Sequence, residues 1–252
     1  MTEKIRILVV LPVVYTEGLK GALEDRRKLA KEMDQQTGGL VKLDVASLNK
    51  GTASIEDAYD EAINTPYILE KVKKAEEEGY NAVVIDCFGD PGLDAARELV
   101  SIPVLGANEA SCHLAAQLAP RFSIINILPE TEHLIRSLVT KYGLLQYLAS
   151  MITINIPVLA LEKDPEKTIA TITQAAEKAV KEDGAYAIVL GCTGMSSLIE
   201  GVKSQLEAKG IKIPVIEPLR AAIYTAIAWT LMGASQSKEA YRPPRPKLRK
   251  LS

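Results

Sequence analysis

Two of the three cysteines in this 252-residue chain occupy look-alike segments, Gly79-Tyr-Asn-Ala-Val-Val-Ile-Asp-Cys87 and Gly184-Ala-Tyr-Ala-Ile-Val-Leu-Gly-Cys192. Each cysteine stands eight residues after a glycine, at the end of a Val/Ile/Leu run, and a glycine-containing loop then opens a helical pattern. A strand end that leads into a helix is where α/β proteins present ligand-binding groups. The backbone N–H groups of Phe88-Gly89 and Thr193-Gly194 should face the same space as the thiols. Unpaired donors at a helix start lower a thiol's pKa and hold a carboxylate or enolate oxygen. A single free cysteine is more often a small buried hydrophobe, but matched placement in two half-repeats favours chemistry. Cys112, inside the helical run Glu109 to Leu118, has no such twin and is expected to pack in the core.

Two thiols facing each other across a pocket suit a 1,1-proton transfer. One thiolate removes a proton from a carbon next to a carbonyl, and the opposite thiol returns one to the other face, inverting that carbon. The charge that develops on the carbonyl oxygen needs donors already in place. Such a step demands no metal, pyridoxal group or nucleotide, so the expected ligand is a small molecule and no cofactor is assigned. Competing chemistries lack their parts. A cysteine hydrolase needs a histidine base, and His113 and His133 both fall within helical patterns. No Cys-x-x-Cys or His-x-x-x-His spacing marks a zinc site. No dinucleotide or P-loop glycine pattern occurs, and Gln36-Thr-Gly-Gly39 reads as a helix stop.

The elements that must position the cysteines are legible as alternating strands and helices, the pattern of an α/β protein with mainly parallel sheets. Strands are expected over Ile5 to Leu11, Val41 to Ser47, Ala82 to Asp86, Val104 to Gly106, Phe122 to Ile127, Ile152 to Leu159, Ala187 to Leu190 and Val215 to Glu217. Several are apolar throughout, as in central strands covered by helices on both faces. Asp164-Pro165 starts one helix, with Ile169, Ile172, Ala176, Ala179 and Val180 on one face and Gly184 closing the pattern. Asp90-Pro91 is expected to cap the helix after Cys87, and Ser196 or Ser197 the one after Cys192.

The repeat extends past the cysteines. A helix and an Ile-Pro-Val strand follow each, at Ile102-Pro103-Val104 and Ile213-Pro214-Val215, and an Ala-rich helix follows each of those. We read two similar three-layer α/β domains, pseudo-two-fold related, with the active site in the cleft between them. The first comprises residues 1–107 with the last helix and tail, 218–252, packed back on it, and the second comprises residues 108–217. The proline-rich basic stretch Tyr241 to Lys250 is expected to be a surface arm or an oligomer clasp.

Composition narrows the function further. A net charge of −2 with 25% charged and 47% hydrophobic residues gives no basis for binding nucleic acid or a membrane surface through bulk charge. The apolar run near Met1 to Leu11 is short and lacks a cleavage pattern, so it reads as a strand, not a signal peptide. Three cysteines make no disulfide framework and are expected as free thiols in the cytoplasm.

Over nearly its whole length the chain resembles the hydantoin racemase branch of the aspartate/glutamate racemase superfamily. The resemblance is carried by Gly51-Thr-Ala-Ser-Ile-Glu-Asp-Ala-Tyr-Asp-Glu-Ala62, by Gly79 through Cys87-Phe-Gly-Asp-Pro-Gly-Leu-Asp-Ala-Ala-Arg97, by Leu190-Gly-Cys-Thr-Gly-Met195 and by the ending Tyr241-Arg-Pro-Pro-Arg-Pro-Lys247. It implies a cofactor-independent racemase with Cys87 and Cys192 as the acid/base pair, backbone donors from Phe88, Gly89, Thr193 and Gly194, and a homo-oligomer. Two places depart from the family's pattern. Leu11-Pro-Val-Val14 stands where a polar turn is usual, and Phe122-Ser-Ile-Ile-Asn126-Ile127 offers only Asn126 where two threonines are usual. Proton transfer survives these changes. The expected substrate is a 5-substituted hydantoin or an allantoin-like compound. An amino acid of the aspartate/glutamate type, a small dicarboxylate undergoing cis-trans isomerisation, and a non-enzymatic small-molecule binder are the alternatives.

Overall fold

The structure, a computed structural model, describes residues 4–249. Met1 to Glu3, at the start of the segment read as the first strand, and Lys250, at the end of the basic arm, lie outside the described residues. Two four-stranded sheets, each wholly parallel, carry the same strand order. In the first, β2 (Val41–Leu48), β1 (Ile5–Val14), β3 (Ala82–Ile85) and β4 (Val104–Gly106) lie side by side in that order. In the second the order is β6 (Leu148–Thr153), β5 (Phe122–Asn126), β7 (Ala187–Leu190) and β8 (Val215–Ile216). Every position of β3, β5 and β7 is buried, which is why β3 and β7 read as unbroken apolar runs without alternation.

Helices supply the crossovers that parallel strands require. In the first half they are α1 (Lys20–Gln36), α2 (Ala58–Glu77), α3 (Leu93–Leu99) and α4 (Ala107–Leu118). In the second they are α5 (Pro129–Lys141), α6 (Pro165–Lys181), α7 (Ile199–Ala208) and α8 (Pro218–Leu231). Asp164 caps α6 as its sequence predicts, accepting from the Lys167 N–H at 3.1 Å. The two Ala-rich helices cross over: α4 packs on β7 of the second sheet, α8 packs on β1, β3 and β4 of the first, and the two pack against each other. One hydrophobic cluster therefore runs through both halves, from Ile7 and Val9 through Cys112, Ala115 and Ala222 to Ile124 and Val189. Shared burial of this kind resists relative movement of the two sheets.

Three sequence expectations are corrected. The strand read over Ile152 to Leu159 lies earlier, at Leu148–Thr153. Asn155 takes a left-handed φ of 55°, Pro157 has no N–H to continue a ladder, and a single helical turn forms at Val158–Ala160. Asp90 does not cap the helix after Cys87. That helix, α3, begins after Gly92, and the Asp90 carboxylate instead accepts from the Asn108 and Glu109 N–H groups at the start of α4, both at 2.9 Å. Neither Ser196 nor Ser197 caps α7. Their hydroxyls reach Glu217 and Glu162, both at 2.7 Å, because a two-turn 3-10 segment, Thr193–Leu198, carries the chain from Cys192 into that helix without a gap to cap. β1 also runs three residues past the expected end, and its pairing with β2 shifts between Leu11 and Val14, where Pro12 sits.

Candidate active site

The strand–loop–helix joints at Cys87 and Cys192 are built by the same backbone bonds. The residue before each cysteine hydrogen-bonds back to the central strand of its own sheet: the Asp86 N–H donates to the Val10 carbonyl at 2.9 Å, and the Gly191 N–H to the Ile125 carbonyl at 2.8 Å. Each cysteine carbonyl then accepts from the residue three positions on, Asp90 or Met195, both at 3.1 Å. The two glycine N–H groups turn onto the sulfurs, Gly89 to Cys87 Sγ at 3.4 Å and Gly194 to Cys192 Sγ at 3.3 Å. Among the described residues, the N–H groups of Phe88 and Thr193 have no hydrogen-bond partner. They are the donors such a site needs for a developing oxyanion.

Glycine is required at two of these positions for different reasons. A side chain at Gly191 would place its Cβ 2.6 Å from the Ile125 carbonyl oxygen, so the close pairing of the two strand ends needs hydrogen there. A Cβ at Gly106 would lie 2.4 Å from the Asp90 carboxyl carbon, so its absence lets that carboxylate reach the start of α4. Asp90 itself takes a φ of 46°, a conformation that Asp tolerates better than most residues. Its carboxylate also accepts from the Tyr142 hydroxyl at 2.7 Å, and burial pushes its pKa up to about 7.

The halves are joined behind the thiols by a buried network. Arg26, on α1, grips the Asp86 carboxylate with Nε at 2.9 Å and Nη2 at 3.2 Å, and the same Nη2 donates to the Thr193 carbonyl at 2.8 Å. The Thr193 hydroxyl donates to the Asp86 carbonyl at 3.3 Å. A bidentate pair whose guanidinium also bonds a backbone carbonyl is an arrangement in which a buried ion pair holds its geometry. Burial opposes the Arg26 charge, and Asp86 more than offsets it, so the guanidinium stays protonated. Sequence reading missed Arg26, Asp86, Glu61 and Glu217. Asp86 carried the clearest signal, as an acid at the end of a fully apolar strand that must find a buried partner. Arg26, within the charged stretch Glu24-Asp-Arg-Arg-Lys28, carried a fainter one, its i, i+3, i+7 spacing with Leu29 and Met33 on the buried face of α1.

Both thiols are pushed up in pKa, chiefly by burial. Cys192 lies at about 11, with the Gly194 N–H and Arg26 favouring its thiolate and Asp86 and Glu56 opposing it. Cys87 is shifted well above the usual thiol range. The Gly89 N–H favours its thiolate, while Cys192, Asp90 and Glu61 oppose it. The helix starts therefore do not lower these thiols on balance, because desolvation outweighs one N–H donor. Cys112 is fully buried and raised in the same way, and its Sγ contacts Asn108 Oδ1 at 3.3 Å.

A cavity of about 40 Å³ lies against Cys87, Phe88, Gly89 and Gly191, with Asp57 and Glu61 in its wall. That is room for little more than one water molecule, so a substrate must open it. Ile55 of its wall packs with Leu11, Val13, Leu19 and Leu159 in a small apolar cluster at the end of β1, and the neighbouring Glu56 accepts from the Val158 N–H at 2.8 Å. Asn126 is fully buried and spends its side chain internally, donating to the Leu128 carbonyl at 2.7 Å and accepting from Thr131 at 2.9 Å. It reaches the cavity only through Thr131, a wall residue. A larger groove of about 770 Å³ between α4 and α8 shares no lining residue with this cavity. Among the described residues, no group of three or more His, Cys, Asp or Glu converges to hold a metal ion, and no helix is long and apolar enough to cross a membrane.

Comparison with known proteins places this geometry. The Asp/Glu/Hydantoin racemase family model matches residues 26–226. A hydantoin racemase from Pseudomonas sp. strain NS671 is 37% identical over 243 residues, 96% of this chain and 93% of the relative. Among solved structures, an allantoin racemase from Klebsiella pneumoniae superposes with a TM-score of 0.87 at 34% identity, covering 98% of this chain and 96% of that one. An allantoin racemase from Pseudomonas fluorescens gives 0.85 at 28% identity, covering 98% and 100%.

Proposed function

We propose a function from one premise: the chain belongs to the Asp/Glu/Hydantoin racemase family. It is a cofactor-independent racemase that inverts the C–H carbon of a 5-substituted hydantoin or an allantoin-like compound. The observation that carries this reading is the pair of matched thiol loops, each with a glycine N–H on its sulfur: the two thiols are near enough for Cys192 to oppose the Cys87 thiolate, and the cavity is lined by Cys87 and by Gly191, the residue before Cys192. In the forward step one cysteine thiolate takes the proton from the substrate carbon, and the electron pair moves onto the adjacent carbonyl oxygen as an enolate. The other thiol delivers its proton to the opposite face, and the electron pair returns to carbon. The enzyme is left with its two protonation states exchanged, and a turnover in the reverse direction or proton exchange with water restores them. The free N–H groups of Phe88 and Thr193 are suited to stabilise the enolate oxygen.

The cavity wall favours a ring imide or ureide over a carboxylate. Its charged groups are Asp57 and Glu61, with no Lys or Arg among the lining residues. Carboxylate oxygens accept hydrogen bonds from ring or ureido N–H groups but repel a substrate carboxylate. Burial holds the Glu61 pKa above its usual value. A hydantoin C–H is also the more acidic, because imide and amide delocalise the carbanion, and that suits thiol bases of modest strength. Exposed Tyr224, Leu231 and Met232 along α8 support self-association, and three free thiols accord with a reducing compartment such as the cytoplasm.

The test is polarimetry on single enantiomers of 5-substituted hydantoins, allantoin, aspartate and glutamate. Loss of rotation to zero with hydantoins or allantoin and no change with the amino acids is the expected result. Racemisation of the amino acids alone would overturn the substrate assignment.

A further inference from the structure

The proton-transfer reading leaves one thing open: two thiols in matched loops would be interchangeable unless something distinguishes them. The structure holds such a feature. The carbonyl of the residue after each cysteine is fixed by a side chain from a different element. The Phe88 carbonyl accepts from the Asn108 amide, Nδ2 at 3.1 Å, whereas the Thr193 carbonyl accepts from the Arg26 guanidinium, Nη2 at 2.8 Å. One loop is held by a neutral amide and the other by a permanent cation, both buried.

The groups facing each sulfur from the surrounding elements differ in the same sense. Cys87 meets Asp90 from its own loop, Glu61 from α2 and the Cys192 thiol across the cleft, with no cation among these influences. Cys192 meets Arg26 from α1, with Asp86 from the end of β3 and Glu56 from the segment before α2 as the opposing acids. Asp86, which holds Arg26, has Gly191 as its counterpart in the second half, so the pair has no twin there. A guanidinium does not deprotonate in the working range, and its bidentate bond to Asp86 fixes its place.

We propose that Arg26 is the positioning residue that makes the two thiols unequal, holding the Cys192 loop with its charge so that Cys192 yields its proton before Cys87. Cys192 is then the base of the first half-turn and Cys87 the acid. This rests on the two-thiol reading of the site, but its test needs no substrate. Failure to racemise any hydantoin would count against that reading, and the order of the thiols would be decided separately.

The experiment is carbon-13 NMR of full-length protein labelled at the cysteine Cβ, followed from pH 7 to 11. Its three resonances are assigned by their loss in Cys87→Ser, Cys112→Ser and Cys192→Ser. In the unsubstituted protein the Cys192 signal should begin to titrate at least one pH unit below that of Cys87. Arg26→Gln should cut the Cys192 shift change reached by pH 11 about fivefold or more, as a midpoint raised by one unit requires, and change Cys87 less, while Arg26→Lys, which keeps the charge, should leave the Cys192 change near its original size. Should Arg26→Gln fail to fold, the order of the two signals in the unsubstituted protein and the Cys192 change in Arg26→Lys still decide. Cys87 titrating at or below Cys192, or Cys192 unmoved in Arg26→Gln, would overturn the proposal.

Discussion

The loops at 86–90 and 191–195 share their backbone bonds and differ in what holds them from outside. In both, a strand-end N–H reaches the central strand, the cysteine carbonyl closes a turn and a glycine N–H meets the sulfur. Around the first, Asp86 and Asp90 are buried acids, one paired with Arg26 and the other seated on the start of α4. Around the second, Gly191 and Met195 occupy the matching positions, and the helix anchor is supplied from the far side by Glu217, which caps α8 and accepts from Ser196. Backbone geometry is thus symmetric because main-chain hydrogen bonds and glycines set it. Electrostatics is asymmetric because side chains at equivalent positions are not the same. Two thiols can be placed alike and still be unequal in basicity.

The largest effect should come from breaking the pair itself. Cys87→Ser and Cys192→Ser should each lower racemisation by about a thousandfold, since an alcohol is a far weaker acid/base partner than a thiol. Polarimetry reads this, and full activity in either variant would remove that cysteine from the mechanism. Next in size is Gly191→Ala, which drives a Cβ against the Ile125 carbonyl and Asn126 Cα at 2.6 and 3.1 Å. It should cost about 2 kcal/mol of stability, read as a lower denaturant midpoint. Gly89→Ala, whose Cβ meets only Cys87 Sγ at 3.6 Å, should leave that midpoint nearly unchanged, so equal midpoints in the two variants would contradict the close strand pairing assigned to Gly191.

Taken per pH unit, the smallest effect is the pH dependence. Burial pushes the Cys192 thiol up to about 11 and the Cys87 thiol up as well, so raising the pH from 7 towards 10 increases the thiolate available as base. Turnover at low substrate, corrected for uncatalysed racemisation, should rise by up to about tenfold per unit between pH 7 and 10. A profile that falls across this range would show that the group being deprotonated is the acid.

Much of this was legible in the sequence, and the rest has identifiable reasons for being hidden. The buried strands β3 and β7 and the cysteines at their ends stand out because a fully buried parallel strand is an uninterrupted apolar run. The strand read over Ile152 to Leu159 was misplaced because Ile152, Ile154, Ile156 and Val158 alternate as a strand would, yet Ile154 and Ile156 hydrogen-bond past the end of β5 only as far as Pro157 allows. Asp90 has the composition of a helix cap and is one, but for a helix that begins 17 residues later. The placement of Arg26 behind both loops is a tertiary fact. Helical spacing does set it apart from exposed Arg27, since Arg26 falls on the apolar face with Leu29 and Met33, but the acid it meets there could not be read from the sequence.

The two-thiol mechanism is tested most directly by incubating the protein in D2O with one enantiomer of a 5-substituted hydantoin and stopping the reaction early. Two opposed thiols predict deuterium in the product enantiomer and protium still in the unreacted one, because the proton removed and the deuteron delivered travel through different sulfurs. Product that retains the substrate's own proton, or deuterium entering both enantiomers at the same rate, would contradict the account.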